Sequence, residues 1–513
     1  MLDFRRSLEL GEFSKAQDKL DKSVLKTDTN SKLLWHLEKG SLFLVQKDFD
    51  QAIEHLLESQ RMIDEFYTIR LSKVAKSYLP FIGGEEFKGA GYERSLTYYY
   101  LSRAYYEKFL ATGVRANLFS ARAVILAWDS YFQALAREGY KSLYRTDLLL
   151  KVFGAQIHEQ IDSRNDQQIA LQLYKDAVNM APHFGGVFQY FNSTSKEFIA
   201  ASESARGNKN FSPTVGYQDF LDFLHYKILS LTYDLRRYEF DKMVKTLKAS
   251  AEIVNRAKKV SNVSILVEEG YVARKVPRVF NFGLKGAMDK IEDPKTKEAF
   301  RKHGAPIMGA FAMNVLGLYP KKADVGGVIF AHQVASLAAT ELAIQFEMPM
   351  MEETTPLKQL QLYVMDEQDK VVETRVLPLI SQTSDLARLV LEEEAVWMYV
   401  EKGTRVALKH LTAIAAAYVL YQQIKTPEND FLARTLALGS YVAAAKGIAY
   451  SEVADTRQWI SLADGIRMQE FTLAAGKYRL GIGSTVKGIE AKPSKILGEI
   501  EVTKNKQLFT FRL

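Results

Sequence analysis

A chain of 513 residues, 47% hydrophobic and 25% charged, is long enough for two or three cores and too apolar for bulk disorder. It contains no cysteine, which excludes disulfides, thiolate catalysis and zinc–thiolate sites. Its formal charge of +7 is mild for this length. The densest basic runs are Arg236-Arg237, Lys258-Lys259 and Arg274-Lys275 with Arg278. They read as solvated helix ends and strand edges rather than a nucleic-acid face, so no nucleic-acid partner is expected.

Met1 to Arg5 leads directly into a polar amphipathic helix, without an apolar signal region. No stretch reaches the roughly 18 apolar residues of a membrane-spanning helix. Repeats appear at once. Residues 33–66 carry Gly40 and Phe43, then Asp48-Phe49-Asp50 followed by Ala52, Ile53 and Leu56. This is the pattern of a tetratricopeptide repeat: a small residue where two helices cross, a turn, and a second small residue on the returning helix. Gly11 to Ala16 repeats the turn, and Ala16 and Ala52 lie 36 positions apart, close to the period of about 34. A third copy spans 151–184, with Ala170, Leu171, Tyr174, Ala177 and Pro182, and with His158 where Gly or Ala is usual. Residues 93–136 and 217–258 supply further helical pairs. Residues 1–258 are therefore expected to form an all-α, tetratricopeptide-like solenoid. Aligned on Ala16, Met1 falls inside the first helix of a repeat, so residues upstream of Met1 are expected to be missing.

Such an array presents a groove lined by the first helix of each repeat. In the best repeat the groove residues are Leu34, Leu37, Ser41, Leu44 and Val45, the candidate partner-binding surface. The aromatic cluster Tyr98, Tyr99, Tyr100, Tyr105 and Tyr106 reads as packing between repeat helices, with a stacking platform for bases or sugars as the alternative.

The pattern changes after 258, and 259–513 reads as a mixed strand and helix domain. Val263 to Val267 is a strand, Glu268 to Tyr271 a turn, and Val272 to Phe282 a strand again. A short helix at 294–303 precedes a Gly- and Ala-rich stretch at 304–340, and 341–348 alternates as a strand. Leu357–Met365 and Lys370–Leu377 form a hairpin around Glu367-Gln368-Asp369. Ser384 to Ala395 is a helix capped by Ser384. Two Ala-rich helices follow over 397–450, the second capped by Thr426 with Pro427 in its first turn. They read as a buried close-packed pair, with a membrane-associating hairpin over 411–450 as the alternative. The tail, 451–513, holds the hairpin Arg467–Leu473 with Lys477–Ile482 and the hairpin Glu499–Thr503 with Gln507–Leu513, a small β-sandwich finish. The fold class is thus α+β, a helical solenoid followed by a mixed domain.

No chemistry-bearing motif stands out. None of the eight histidines lies within four residues of another, which excludes the paired-histidine zinc helix. There is no P-loop, dinucleotide fingerprint or nucleophile elbow. Gly83-Gly84 and Gly326-Gly327 lack the context for cradling phosphate, and Glu392 to Glu394 reads as a solvated helix face. No enzymatic activity, cofactor or metal is expected. Asp455, Arg457 and Trp459 alternate on a presumed strand, where Asp455 and Arg457 would pair and Arg457 would stack on Trp459. They read as a structural anchor between the Ala-rich hairpin and the terminal β unit.

The chain resembles a family of bacterial envelope proteins with tetratricopeptide repeats, many of them predicted lipoproteins. The resemblance is carried by Leu33 to Gly40 with Asp48-Phe49, by Glu93-Arg94 and the Tyr-rich helix, and by Ile265 to Gly270 with Arg274-Lys275. Leu386 to Lys409, Ala454 to Leu462 and Leu473 to Tyr478 add to it. Ala463 stands where the family has Pro, and Ala474 where it has Leu or Pro. The resemblance implies a periplasmic, outer-membrane-attached location, with the signal and lipidated cysteine absent from this chain. If Met1 is the native start, the location would be cytoplasmic. The repeats, with no catalytic motif beside them, point to a non-enzymatic scaffold, and the resemblance implies that its partners are other envelope proteins. The alternatives are a peptidoglycan-binding or cell-wall-synthesis accessory protein and a membrane-associating subunit.

Overall fold

The computed structural model describes residues 1–73, 86–137, 147–180, 217–259, 261–282, 333, 344–352, 357–451, 453–484 and 493–513. The helix expected at 294–303, the stretch 304–340 apart from 333, and Pro182 lie outside the described residues. The chain is mixed α+β, with helices first and strands after.

Helices come in antiparallel pairs: α1 (Leu2–Glu9) with α2 (Phe13–Asp21), α4 (Lys32–Val45) with α5 (Phe49–Lys73), α6 (Gly91–Thr112) with α7 (Arg115–Arg137), and α8 (Leu148–Ile161) with α9 (Arg164–Met180). The short α3 (Val24–Thr27) links the first two pairs. From α4 onward each helix packs on its neighbour in sequence, up to α10 (Tyr217–Leu235), which is followed by α11 (Phe240–Leu247) and α12 (Ala251–Ala257). All four pairs turn through one residue of positive φ: Gly11, Lys47, Gly113 and Asp162. A left-handed residue closes a helix by turning its last carbonyls inward, which favours Gly and tolerates Asp. Small residues set the spacing. A Cβ on Gly40 would lie 2.6 Å from Leu56 Cγ, and Ala16 and Ala52 are fully buried.

The strands form two four-stranded sheets. The first runs in the order β10 (Gln507–Arg512), β1 (Val263–Glu269), β7 (Gly465–Phe471), β6 (Leu379–Gln382), with β1 parallel to β10 and antiparallel to β7. The second is antiparallel, in the order β5 (Val371–Leu377), β4 (Leu360–Met365), β8 (Gly476–Ser484), β9 (Lys495–Val502). A separate two-stranded sheet pairs β2 (Lys275–Phe282) with β3 (Ile344–Met351). Alternation along β1 makes the first sheet double-sided. Val263, Ile265 and Val267 enter a core shared with Leu362, Val364, Leu480 and Ile482 of the second sheet. Leu266, with Ile466, Met468 and Leu508, joins the core of the helical array. The layers are therefore helices, first sheet, second sheet, and the largest core is continuous from Leu33 to Leu508.

Several expectations are corrected. The two tail hairpins do not form: β7 and β8 belong to different sheets, as do β9 and β10. A two-residue period fixes which face is apolar but not which strand lies alongside. Ser384 does not cap a short helix. One continuous helix, α13 (Thr383–Ile424), runs for 42 residues, and Ser384 Oγ instead accepts a hydrogen bond from Ala273 N–H at 2.7 Å. The last helix, α14 (Asp430–Ser451), begins beyond Pro427, and Thr426 and Asn429 bond reciprocally in the turn before it.

Gly40→Val should destabilise the protein by about 1–3 kcal/mol, because fully buried Leu56 has no room to withdraw. Urea denaturation measures this. Leu56→Ala in the same chain should recover part of the loss, a coupling that two independent sites would not show.

Candidate functional site

The first helices of the pairs, α4, α6 and α8, face the C-terminal half of the chain together with α10. That face is closed from within. Of the residues expected to line an open groove, Leu34, Leu37, Ser41 and Leu44 are buried and Val45 is half-buried. Leu34, Leu37 and Leu44 belong to the main core, and Ser41 meets the irregular segment that includes Asp455, Arg457 and Trp459. Trp459 is fully buried, and its Nε1–H donates to Ser41 Oγ at 2.9 Å. Two buried glutamates grip consecutive amides of this segment: Glu93 accepts from Trp459 N–H at 2.8 Å and Glu38 from Ile460 N–H at 2.7 Å. Tyr100 OH accepts from Ala463 N–H at 3.1 Å. The groove positions are thus internal: four are buried, and residues beside them hold the chain's own backbone.

Asp455 and Arg457 pair as expected, with Arg457 Nη2 2.7 Å from Asp455 Oδ2. The segment is not a strand, however, and Arg457 lies over Phe87 (5.7 Å to the ring centroid) rather than Trp459. Its Nη1 donates to Asn30 O at 3.1 Å. The trio anchors the segment to the start of the helical array, not the hairpin to the terminal strands. The Tyr98, Tyr99, Tyr100 and Tyr106 rings are buried and serve packing and hydrogen bonding, as the packing reading expects, so they offer no stacking platform.

Two charged clusters pin the first sheet to the helices. Glu268 on β1 accepts from Tyr99 OH at 2.9 Å and contacts Arg103 at 2.6 Å and Arg512 at 2.9 Å. Burial alone would raise its carboxyl, but the two guanidiniums outweigh that and hold it at about 2. Glu470 on β7 accepts from Gln156 at 2.7 Å, Ser261 at 2.7 Å and Ser264 at 2.9 Å, and pairs with Lys227. Burial opposes its ionisation too, and the Lys227 ammonium prevails, again holding it at about 2. Lys227 also contacts Glu159 at 2.7 Å, which takes a further bond from Lys506 at 2.9 Å. Sequence reading named Tyr99 only as a packing residue and Glu268 only as part of a turn, and missed the clusters they belong to. Their one signal was local: Glu93, Arg103, Glu107, Gln156 and Glu159 sit among apolar residues on helices with no continuous polar face.

The structure also joins residues distant in sequence that carry potential chemistry. His36 and His55 meet across α4 and α5, Nδ1 to Nδ1 at 3.0 Å. Burial, then the neighbouring His55, lowers His36 to about 4. His158 bonds Asp166 at 2.7 Å. Among the described residues no group of three or more His, Asp or Glu is placed to hold a metal ion. A cleft lined by Asp219, Lys358, Gln359, Pro378 and Arg467 leaves room for about one water molecule. No helix among the described residues is long and apolar enough to cross a membrane.

The outward-facing feature is the α13–α14 hairpin. Leu386, Ala387, Val390 and Leu391 root α13 in the main core. Farther along, Ile414, Ala417, Tyr418 and Tyr421 pack on Ala433, Ala437 and Tyr441 of α14. Phe431 (78%), Leu432 (57%), Leu436 (53%) and Val419 (46%) are left exposed.

Glu38 gives the buried face a pH signature. Burial pushes its carboxyl up to about 8, against hydrogen bonds from Ser461 and Ile460, with Glu93 adding to the rise. A folded-state value above the unfolded one means that the associated stability is fully present below the ordinary glutamate range. It is lost as pH rises toward about 8. Glu38→Gln should remove this contribution, flattening the loss of stability over that window by up to about 1.4 kcal/mol per pH unit. Denaturation midpoints of both proteins across the window measure it. Parallel curves would show that Glu38 is ionised throughout.

Comparison of the chain with protein-family models, with curated proteins and with solved structures finds no match.

Proposed function

We propose that the protein is a non-catalytic interaction scaffold, a subunit of a larger bacterial envelope assembly, that uses its helical array inward and docks a partner helix on α14. The paired helices are read as irregular tetratricopeptide-type repeats. Gly40, Ala16 and Ala52 at the helix crossings and the four left-handed turns support that reading. The two packed sheets are read as a small β-sandwich.

One observation carries the docking role. α14 has apolar residues on both sides, with Thr435, Ser440 and Lys446 among them on the outer one, but among the described residues it is covered on only one. Ala433, Ala437, Tyr441 and Ala445 face α13, while Phe431, Leu432, Leu436, Gly439, Ala443 and Gly447 are exposed. A helix without a continuous polar face gains by packing inside a bundle, and no helix among the described residues is long and apolar enough to span a bilayer. Nothing lies within 4 Å of a Cβ built on Gly439 or Gly447. Mid-helix glycine costs about 1 kcal/mol relative to Ala, and a closely approaching second helix would offset that cost. The large side chains near the start of α14 then act as anchors and the small ones beyond them admit the partner's backbone. The second reading is the bilayer surface, supported by the same exposed side chains.

A photo-crosslinker at Ala443 of the full chain in its native envelope should give a discrete protein adduct. Phe431→Ser, Leu432→Ser and Leu436→Ser together should lower its yield at least about tenfold, with an unchanged thermal midpoint. An undiminished adduct overturns the docking face. If vesicle co-flotation is lost in the triple variant and no protein adduct forms, the surface belongs to the lipid reading.

A further inference from the structure

Eight Lys and Arg residues fall between Arg236 and Lys259 against three Asp and Glu, so this short stretch carries +5 of the chain's formal +7. In sequence its basic runs are separated by α11 and α12. The fold closes the gap with two aromatic rings. Arg237 stacks over Tyr233 (4.3 Å to the centroid), Tyr233 meets Phe240 edge-on (5.1 Å), and Lys258 Nζ lies 5.9 Å from the Phe240 centroid. Both runs therefore meet at one corner, at the end of the helical array.

The apolar side of α11, with Phe240, Met243, Val244 and Leu247, packs inward with Tyr226, Leu229 and Ile253. Its outer side is left to Lys242 and Lys245, one turn apart, with Lys248 immediately after. Arg236 is partly neutralised by Glu239 at 3.7 Å. Lys242, Lys245, Lys248, Lys258 and Lys259 are all exposed, and among the described residues none has a carboxylate within 4.0 Å. Tyr238 stands at the same corner, 85% exposed.

We infer that this corner is a docking surface for an anionic lipid headgroup layer. Five of the cations without a carboxylate partner are lysines, while the exposed Arg237 is held against the Tyr233 ring. Ammonium groups on flexible stems suit a diffuse sheet of negative charge, whereas recognition of individual phosphates or bases favours the planar fork of Arg. An exposed Tyr beside them has the apolar body and polar tip that settle at a headgroup boundary. Two short helices present these groups on exposed positions. The surface is separate from α14, so it stands or falls independently of the scaffold reading.

The test is sedimentation of the full chain with vesicles of equal parts phosphatidylglycerol and phosphatidylcholine, beside pure phosphatidylcholine. The full chain should bind only the anionic vesicles, and salt should weaken binding. Lys242→Gln, Lys245→Gln and Lys259→Gln together should weaken it about a hundredfold at an unchanged thermal midpoint. Tyr238→Ser should weaken it less, and equally at low and high salt. No binding to anionic vesicles overturns the inference, as does binding that the lysine variant leaves unchanged. Duplex DNA that displaces the protein from vesicles at equal phosphate would also overturn it and reassign the corner to nucleic acid.

Discussion

Glu268 and Glu470 lie on strands covered on both faces, and the architecture depends on how their charges are met. Taking a carboxylate out of water costs several kcal/mol, which only good geometry and several hydrogen bonds offset. Each of the two has that. Glu268 is held by α6 through Tyr99 and Arg103 and by β10 through Arg512. Glu470 is held by α8 through Gln156, by α10 through Lys227 and by β1 through Ser264. The contacts therefore specify register as much as they stabilise. A slip of one residue along β1 or β7 would turn a charged carboxylate into the apolar layer between the two sheets.

This constraint explains why the helical array offers no open groove along α4, α6 and α8. The outer face of the first sheet carries Leu266, Ile466, Met468 and Leu508 beside those two carboxylates, and such a mixed face needs a partner with matching apolar and cationic groups. The helices supply both. The Trp459 segment completes the cover, with Glu38 and Glu93 holding its amides and Ser41 its indole. The binding capacity of a paired-helix array is used here to join the two halves of one chain. The two surfaces proposed for other molecules lie elsewhere: on the outer side of α14, and at the lysine-rich corner beyond α10.

Local features were legible in the sequence because their causes are local. Gly40 and Ala52 mark a helix crossing whichever domain lies beyond it, and the hairpin of β4 and β5 follows from its alternation and the turn at Asp369, which has positive φ. The Asp455–Arg457 pair, two residues apart, was legible for the same reason. Its surroundings were not, since Phe87 and Asn30 come from the other end of the chain. The tail hairpins failed as predictions because β7 and β10 join the first sheet while β8 and β9 pair with each other in the second, so β7 does not pair with β8, nor β9 with β10.

Composition, periodicity and small-residue spacing by themselves determined that helices come first and strands after, where the first two helix pairs turn, and the alternation of the strands. Those properties depend on residues within a few turns of one another. Only the tertiary structure decided that the helical face is filled by the chain's own sheet, that Glu268 and Glu470 meet their cations there, and that two separated basic runs share one corner. Each of these pairs groups across long stretches of chain, and a residue's own neighbours carry no record of which distant charge or ring will desolvate it.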